Sequence, residues 1–363
     1  MRKFPAIEQL RHVVAAVNHR ATYIGQDAEG NPVYDDSRCR PKLTFTGTVK
    51  LHGSNAGVEY NLKTGQLVPQ SRERVLTVAE DNHGFARWTE SLAGKEALVE
   101  LGKAIVLCHR HEEPNLPRVL RDQDVSRYVA YGEWCGPDVN AKTAIGQLPE
   151  RWVLFSVLME YADGTEIWLD MHRFGALWST RNLWSTGNAE GIDVITNFKT
   201  YGITIDFNKP AEILDVLEQF TLQVEDRCPV AAALGLEGMG EGIVWECRDP
   251  LYGHLKFKTK GLKHKGTRNS KLVDIAPEVL AGREAFTMAV LTESRLEQGL
   301  AELRQRVGKV TMDHVGEFLK WVGQDVIKEE SDTLAASGLT RQDVMSTINR
   351  RAKDWLMPQL AQI

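Results

Sequence analysis

The chain has 363 residues, more than one typical domain, and 42% of them are hydrophobic, which is enough for a packed core. Its net charge of −5 argues against a protein that is basic over its whole surface, but it allows a local basic surface that binds phosphates. Five cysteines without a CxxC pair, together with the lack of a signal peptide and of a long apolar run, predict a cytoplasmic protein.

The hydrophobic pattern divides the chain into two parts. An amphipathic helix is predicted first, over FPAIEQLRHVVAAVNH. Short strands separated by Gly, Asn and Asp follow from about residue 43 to residue 260, with a few helices between them. From about residue 277 the pattern is helical throughout. We therefore predict an α+β domain over residues 1–272 and an all-helical domain over residues 273–363.

The strand TFTGTVK ends at Lys50, directly before the glycine-containing turn HGSN. Because side chains alternate along a strand, Phe45 and Val49 face one side and Lys50 joins the threonines on the other. Strand ends next to such turns are good places to present a reactive group. A lone lysine beside a turn is nevertheless more often simply solvated, and the pattern Lys-x-His-Gly is weak by itself.

A further lysine cluster lies far downstream, in GHLKFKTK. Read as a strand, it places Lys256, Lys258 and Lys260 on one face at intervals of about 6.5 Å. Three neighbouring ammonium groups repel one another unless an anion lies between them, and a polyphosphate is a natural candidate. The alternative is an exposed edge strand that its lysines keep soluble.

Two carboxylates occupy notable positions in other predicted strands. Glu241 precedes Gly242 in GEGIVWEC, and glycine lets a backbone or ligand approach closely. Glu133 follows Gly132 in YVAYGEWCGP, and alternation places it on the same face as Tyr131, half-buried and in need of a partner. The Glu133 carboxylate is therefore either part of a structural ion pair or a ligand for a sugar hydroxyl, a metal or a lysine.

Four segments resemble, in order and rough spacing, the motifs of the covalent lysine nucleotidyltransferases, the superfamily of ATP-dependent ligases and capping enzymes. They are KLHG at 50–53, YGEWCG at 131–136, EGIV at 241–244 and LKFK at 255–258. The histidine in KLHG and the GEWCG form of the next motif are most similar to the RNA ligase 2 family of phages and related enzymes. The resemblance implies an antiparallel-sheet nucleotidyltransferase (adenylation) domain before the helical domain.

The resemblance also implies roles for these residues. Lys50 would be the nucleophile that takes AMP from ATP, while Lys256 and Lys258 would lower its pKa and grip the phosphates. Glu133 would contact ribose, and Glu241 would position the lysine or a divalent metal. The metal, Mg²⁺ or Mn²⁺, would neutralise the departing pyrophosphate.

Further nucleotide contacts follow from the same resemblance. Arg72 matches an arginine that contacts phosphate, Phe155 matches the aromatic that stacks on adenine, and His52 and Asn55 would touch the nucleotide or the RNA end. Phe155 is equally well explained as a core residue. Many relatives carry Asp directly after that phenylalanine, whereas this chain has Ser156. Either another carboxylate takes its role or the alignment is shifted by one or two residues.

A basic stretch, LKFKTKGLKHKGTRNSK, continues from the lysine strand without an acidic residue. We expect it to hold RNA phosphates, although a basic interdomain linker would look similar. The proposed RNA contacts are Lys260, Lys263, Lys265 and Arg268.

The resulting prediction is a monomeric, ATP-dependent RNA ligase. It would seal 5′-phosphate and 3′-hydroxyl ends through a lysyl-AMP and an adenylylated 5′ end. The alternatives are a ligase of the same superfamily that seals DNA or RNA/DNA hybrids, and a catalytically inactive relative that binds nucleic acid.

Overall fold

The computed structural model describes residues 1–112, 125–137, 139, 143–184, 191–261 and 282–361. The chain divides into two compact units, Met1–Thr259 and Lys260–Ile363. The first mixes strands and helices and the second is helical, which confirms the predicted α+β domain followed by an all-helical domain. The predicted boundary between residues 272 and 273 lies outside the described residues and stays a prediction.

The strands and helices have the following bounds. The strands, in chain order, are β1 (Tyr23–Gln26), β2 (Pro32–Tyr34), β3 (Lys42–Lys50), β4 (Ser54–Asn61), β5 (Leu67–Ser71), β6 (Val125–Cys135), β7 (Arg151–Tyr161), β8 (Glu166–Trp168), β9 (Ile192–Val194), β10 (Thr200–Asp206), β11 (Gly242–Asp249) and β12 (Gly253–Lys260). The helices of the first unit are α1 (Leu10–Thr22), α2 (Phe85–Glu90), α3 (Leu92–Glu112), α4 (Met171–Trp184), α5 (Leu214–Asp226) and α6 (Pro229–Ala233). Those of the second unit are α7 (Arg283–Val290), α8 (Glu293–Val307), α9 (Val315–Glu329), α10 (Ser331–Ala336) and α11 (Arg341–Ala361).

Two main sheets form the first unit. The smaller has the order β10-β3-β11-β12, and β3 pairs antiparallel with both of its neighbours. The larger has the order β5-β4-β6-β7-β8 in antiparallel pairs, and β9 lies parallel to β7. Strand β3 belongs to the smaller sheet and β4 to the larger, so residues 51–53 carry the chain from one sheet to the other.

Helices cover one face of each sheet. On the larger sheet, residues of α2, α3 and α4 pack with Trp134 and Trp152 in one buried cluster. On the smaller sheet, Phe220 of α5 lies 6.3 Å from Trp245 between ring centroids, and Trp245 in turn packs on Phe257. The opposite face of the larger sheet carries a small apolar cluster around Tyr131. The opposite face of the smaller sheet carries the polar side chains that alternate with its core residues, among them Lys50.

The first helix begins later than the sequence predicts. Helix α1 starts at Leu10, and its buried side chains include Val13 and Val17. The prediction of helix from Phe4 onward is wrong, because the segment before Leu10 pairs with β12 instead: the backbone N–H of Lys258 donates to the carbonyl oxygen of Glu8 at 3.1 Å.

The helical unit has a core of its own. In α9 the side chains of Phe318, Val322 and Val326 are fully buried, as their helical spacing predicts. They pack with buried residues of α7, α8 and α11. Among the described residues of the chain, no helix is both long and apolar enough to cross a membrane.

Candidate active site

Lys50 and Glu241 meet at the end of two paired strands. Lys50 is the last residue of β3 and stands opposite Gly242, the first residue of β11. Glu241 directly precedes that strand, and its carboxylate accepts a hydrogen bond from the Lys50 ammonium. The Lys50 side chain is 22% exposed, whereas that of Glu241 is only 3% exposed. The lysine is therefore accessible to a ligand, while its partner carboxylate is buried.

The turn after Lys50 fixes a second carboxylate. The backbone N–H of Gly53 donates to Oε1 of Glu133 at 2.9 Å. A side chain at Gly53 would clash with the backbone carbonyl oxygen of Trp134 and would lie 2.9 Å from Cγ of Glu133. The close approach of this turn to the end of β6 thus requires glycine at this position. His52, half-buried in the same turn, places Nδ1 3.5 Å from Oε2 of Glu241.

Glu133 has an unusual protonation equilibrium. Its pKa is raised to about 7, chiefly by burial and also by the neighbouring Glu241 charge, although Lys50, the Gly53 N–H and Arg72 act in the opposite direction. A carboxyl with such a pKa exchanges its proton near neutral pH, so it can donate or accept a hydrogen bond to a hydroxyl group. The structure thus places Glu133, Glu241 and Lys50 within electrostatic reach of one another.

Lys256 lies on β12 beside a carboxylate that the sequence analysis did not identify. Its ammonium is 3.1 Å from Oε2 of Glu246, and the other carboxylate oxygen, Oε1, lies 2.7 Å from Nε2 of His254. Burial lowers the pKa of Lys256, although Glu246 opposes this shift. The alternation of β11 could have revealed Glu246, because it shares a half-buried face with Val244, two positions before it.

The other two lysines of β12 are among the described residues, whereas most of the basic stretch after the strand is not. Lys258 and Lys260 are both half-buried at the end of β12. The remaining proposed RNA contacts, Lys263, Lys265 and Arg268, lie outside the described residues.

Phe155 lies at a β-bulge in β7. Tyr131 pairs with Ser156 and Gly132 pairs with Leu154, so Phe155 is left without a partner residue. Bulges bend a strand and reorient a side chain, and they are frequent beside active sites. Phe155 is half-buried and packs against the apolar cluster on the face of the sheet opposite the helices. Ser156 is 1% exposed, and its hydroxyl has no hydrogen-bond partner among the described residues.

Arg72 and Asn55 flank Glu133. Arg72 is exposed in the turn after β5, and its positive charge lowers the pKa of Glu133. Asn55 is half-buried and pairs with Glu133 across β4 and β6. The structure thus brings Lys50, Glu133 and Glu241 together directly, with His52, Asn55 and Arg72 around them.

The carboxylates fit a metal ion that is shared with a ligand rather than one held by the protein alone. In the described ranges, no group of three or more His, Cys, Asp and Glu side chains could hold a metal. Mg²⁺ is usually bound through one or two carboxylates together with substrate phosphates and water. Glu241, with Glu133 beside it, offers this kind of incomplete ligand set.

The sequence of this chain is similar to a known protein family. The family model for RNA ligase matches residues 43–263, a region that contains every residue of the cluster around Lys50. Among curated proteins, none is significantly similar in sequence.

Solved structures of an RNA ligase from Naegleria gruberi are similar to this chain at a TM-score of 0.40. They include one with pyrophosphate and two mutants, one with AMP and manganese and one with ATP and manganese. Each is 15% identical in sequence, and the match covers 72% of this chain and 56% of the solved chain. This chain thus spans little more than half the length of those ligases.

The resemblance predicted from the four motifs is confirmed at the level of the family, because the matched region covers more than half of the chain. The chain belongs to the RNA ligase family.

Proposed function

We propose that this protein is an ATP-dependent RNA ligase that joins a 5′-phosphate to a 3′-hydroxyl. The observation that carries the proposal is the pairing of Lys50 with the buried Glu241 at the end of β3, inside the region that matches the family. An accessible lysine fixed by a buried carboxylate is suited to covalent catalysis, because its nitrogen is held in place and a proton acceptor is adjacent.

In the first step, the Lys50 nitrogen attacks the α-phosphorus of ATP. A phosphorus–nitrogen bond forms, the bond to the β-phosphate oxygen breaks, and pyrophosphate leaves. Only the neutral amine is nucleophilic, so the ammonium must first lose a proton. The Glu241 carboxylate is hydrogen-bonded to that ammonium and can accept it. A divalent metal bound with Glu241 and the phosphates would supply charge neutralisation for the leaving pyrophosphate.

The second and third steps transfer AMP and then release it. An oxygen of the RNA 5′-phosphate attacks the lysyl-AMP phosphorus, which frees Lys50 and gives an RNA end linked to AMP through a pyrophosphate. The 3′-hydroxyl then attacks the 5′-phosphorus, and AMP leaves. Both steps depend on fixed positive charge around the phosphates, which Lys256 and Lys258 on β12 would provide.

The nucleotide would lie across the open faces of the two sheets. We assign Phe155 to the adenine ring, Glu133 to the ribose hydroxyls and Arg72 to a phosphate. Glu133 suits a hydroxyl because its pKa of about 7 lets it donate or accept. Lys260, Lys263, Lys265 and Arg268 remain our proposed contacts to RNA phosphates.

Sealing assays with Lys50→Ala test the proposal. The wild-type protein should join 5′-³²P-labelled RNA in the presence of ATP and a divalent metal, and Lys50→Ala should not. The same variant should still join RNA whose 5′ end is adenylylated beforehand, because the third step does not use the lysine as a nucleophile. Matched DNA and hybrid duplexes provide the comparison. If the protein joins DNA in preference to RNA, DNA is its substrate. If it joins no ends at all, including ends that are already adenylylated, it binds nucleic acid without catalysis.

A further inference from the structure

The first nine residues cross the open face of the larger sheet and reach the edge of the smaller one. The carbonyl oxygen of Arg2 accepts hydrogen bonds from Nε2 of the buried Gln70 at 2.7 Å and from the hydroxyl of Tyr131 at 3.0 Å. At the other end of this segment, Glu8 pairs with Phe257 of β12. The segment is thus held by backbone contacts to both sheets.

Phe4 is the aromatic side chain that this segment places on the open face. Its ring centroid lies 5.2 Å from that of Tyr131, 5.0 Å from that of Phe155 and 5.9 Å from that of Trp168. Phe155 meets it in an edge-to-face arrangement, with an interplanar angle of 69°. The Lys256 ammonium lies above the same ring, 5.3 Å from its centroid.

One ring therefore contacts two groups that belong to different parts of the proposed nucleotide site. Phe155 is assigned to the base and Lys256 to the phosphates, and they lie on different sheets. An edge-to-face contact restricts the plane of Phe155, and a cation–π contact restricts the Lys256 ammonium. The Lys256 ammonium also lies 3.1 Å from Glu246 and 5.8 Å from the centroid of the Trp168 ring. Without the Phe4 ring, both side chains would gain rotational freedom.

We propose that Phe4 is a positioning residue of the adenylation site, which holds Phe155 and Lys256 in the geometry that binds ATP. This inference rests on the proposed function. The opposite role, a ring that fills the base site and must leave before ATP can bind, predicts changes of the opposite sign.

Three variants separate these roles: Phe4→Ala, the conservative Phe4→Tyr, and the matched control Phe220→Ala. Phe220 is also half-buried, and its aromatic contacts are with Tyr201 and Trp245 rather than with residues of the proposed site. Two quantities are measured for each variant. One is the Kd for ATP with magnesium in a Lys50→Ala background, by titration calorimetry. The other is the ATP dependence of lysyl-AMP formation in the protein that keeps Lys50.

Phe4→Ala should weaken ATP binding about tenfold and raise the KM for ATP by a similar factor, with a smaller effect on kcat. Phe4→Tyr should restore most of the affinity, and Phe220→Ala should change the thermal unfolding temperature without changing either constant. Unchanged constants in Phe4→Ala would overturn the inference, and so would tighter binding or faster labelling. Wild-type protein that neither binds ATP nor becomes labelled would instead remove the proposed function, and the inference with it.

Discussion

The two carboxylates beside Lys50 differ in what surrounds them. Glu241 contacts the lysine directly, whereas Glu133 is fixed by a backbone N–H and is close enough to Glu241 for their charges to repel. Two acids in one site with different environments commonly have different roles. Here the arrangement assigns Glu241 to the lysine and leaves Glu133 free to bind a hydroxyl of the nucleotide.

Glu133 should make the protein less stable as the pH rises from about 4.5 to about 7. Burial, together with the Glu241 charge, raises its pKa from the ordinary 4.5 to about 7 in the folded protein. The folded state therefore keeps a proton that the unfolded state has released. By linkage, the free energy of unfolding contributed by this group falls by roughly 2 kcal/mol between pH 5 and pH 8.

Urea unfolding of Glu133→Gln checks this effect. Glutamine keeps an oxygen that can accept from Gly53, but it cannot ionise. Relative to the wild type, the variant should gain roughly 2 kcal/mol of unfolding free energy when the pH is raised from 5 to 8. The same pH dependence in both proteins would contradict a raised pKa at Glu133.

Glu246→Gln should destabilise the protein and weaken nucleotide binding. Burial alone would raise the pKa of Glu246, but the hydrogen bond from His254 and the charges of Lys256 and Arg248 hold this pKa well below its usual range. Its ionisation therefore stabilises the fold above pH 4.5, and this contribution diminishes as the pH falls below that value. We expect a loss of about 3 kcal/mol at pH 7, since the removal of one partner leaves buried charge uncompensated.

The Glu246 prediction is checked by measuring the free energy of unfolding at pH 7 and pH 3.5, together with the affinity for ATP. The difference in unfolding free energy between Glu246→Gln and the wild type should be smaller at the lower pH. Glu212→Gln, a change of an exposed glutamate that lies 3.5 Å from Lys209, is the matched control and should have little effect. A difference that does not depend on pH would contradict the role of the Glu246 charge.

At the scale of elements, the alternation of side chains predicted strand β3 correctly, whereas helical periodicity misplaced the start of the first helix. The strand TFTGTVK becomes β3 with Phe45 and Val49 buried and Lys50 on the other face, as predicted. The first helix is shorter than predicted, because hydrophobic periodicity carries no information about the backbone hydrogen bond between Glu8 and Lys258 of β12. The bulge at Phe155 was also missed, since it arises from the pairing of β6 with β7 and has no local sequence signal.

The turn between β3 and β4 should not tolerate a side chain at Gly53. Gly53→Ala would force Cβ against the backbone carbonyl of Trp134, which cannot move without shifting β6. The shift would also disturb the hydrogen bond to Glu133, so lysyl-AMP formation should fall at least tenfold. Stability should fall by about 2 kcal/mol, the order expected when a close-packed site is overpacked.

Gly202→Ala is the control for this substitution. Gly202 is exposed on β10, and a Cβ there would meet nothing within 4 Å. Its effect on unfolding and on labelling should be small, within about 0.5 kcal/mol for stability. If Gly53→Ala behaves like Gly202→Ala in both assays, the turn does not fix Glu133 as we describe.

At the scale of the whole molecule, the chain combines two units with separate cores. The predicted order of an α+β part before a helical part follows from the change of period in the hydrophobic pattern. Contacts between distant segments could not be predicted in this way. Glu246 beside Lys256 and Phe4 beside Phe155 depend on how the strands and the first nine residues come together in three dimensions.

The central claim is that Lys50 carries AMP, and labelling with α-³²P-ATP tests it most directly. Wild type, Lys50→Ala and Lys42→Ala are incubated with magnesium and separated on a denaturing gel. Lys42 is the matched control, because it lies at the other end of β3, where it pairs with Asp206. Intact mass beforehand shows whether the purified protein already carries AMP.

We predict a labelled band for wild type and Lys42→Ala, no band for Lys50→Ala, and loss of the label when pyrophosphate is added. A label of equal strength in Lys50→Ala would contradict the account. So would a lack of label in wild-type protein whose mass shows no bound AMP.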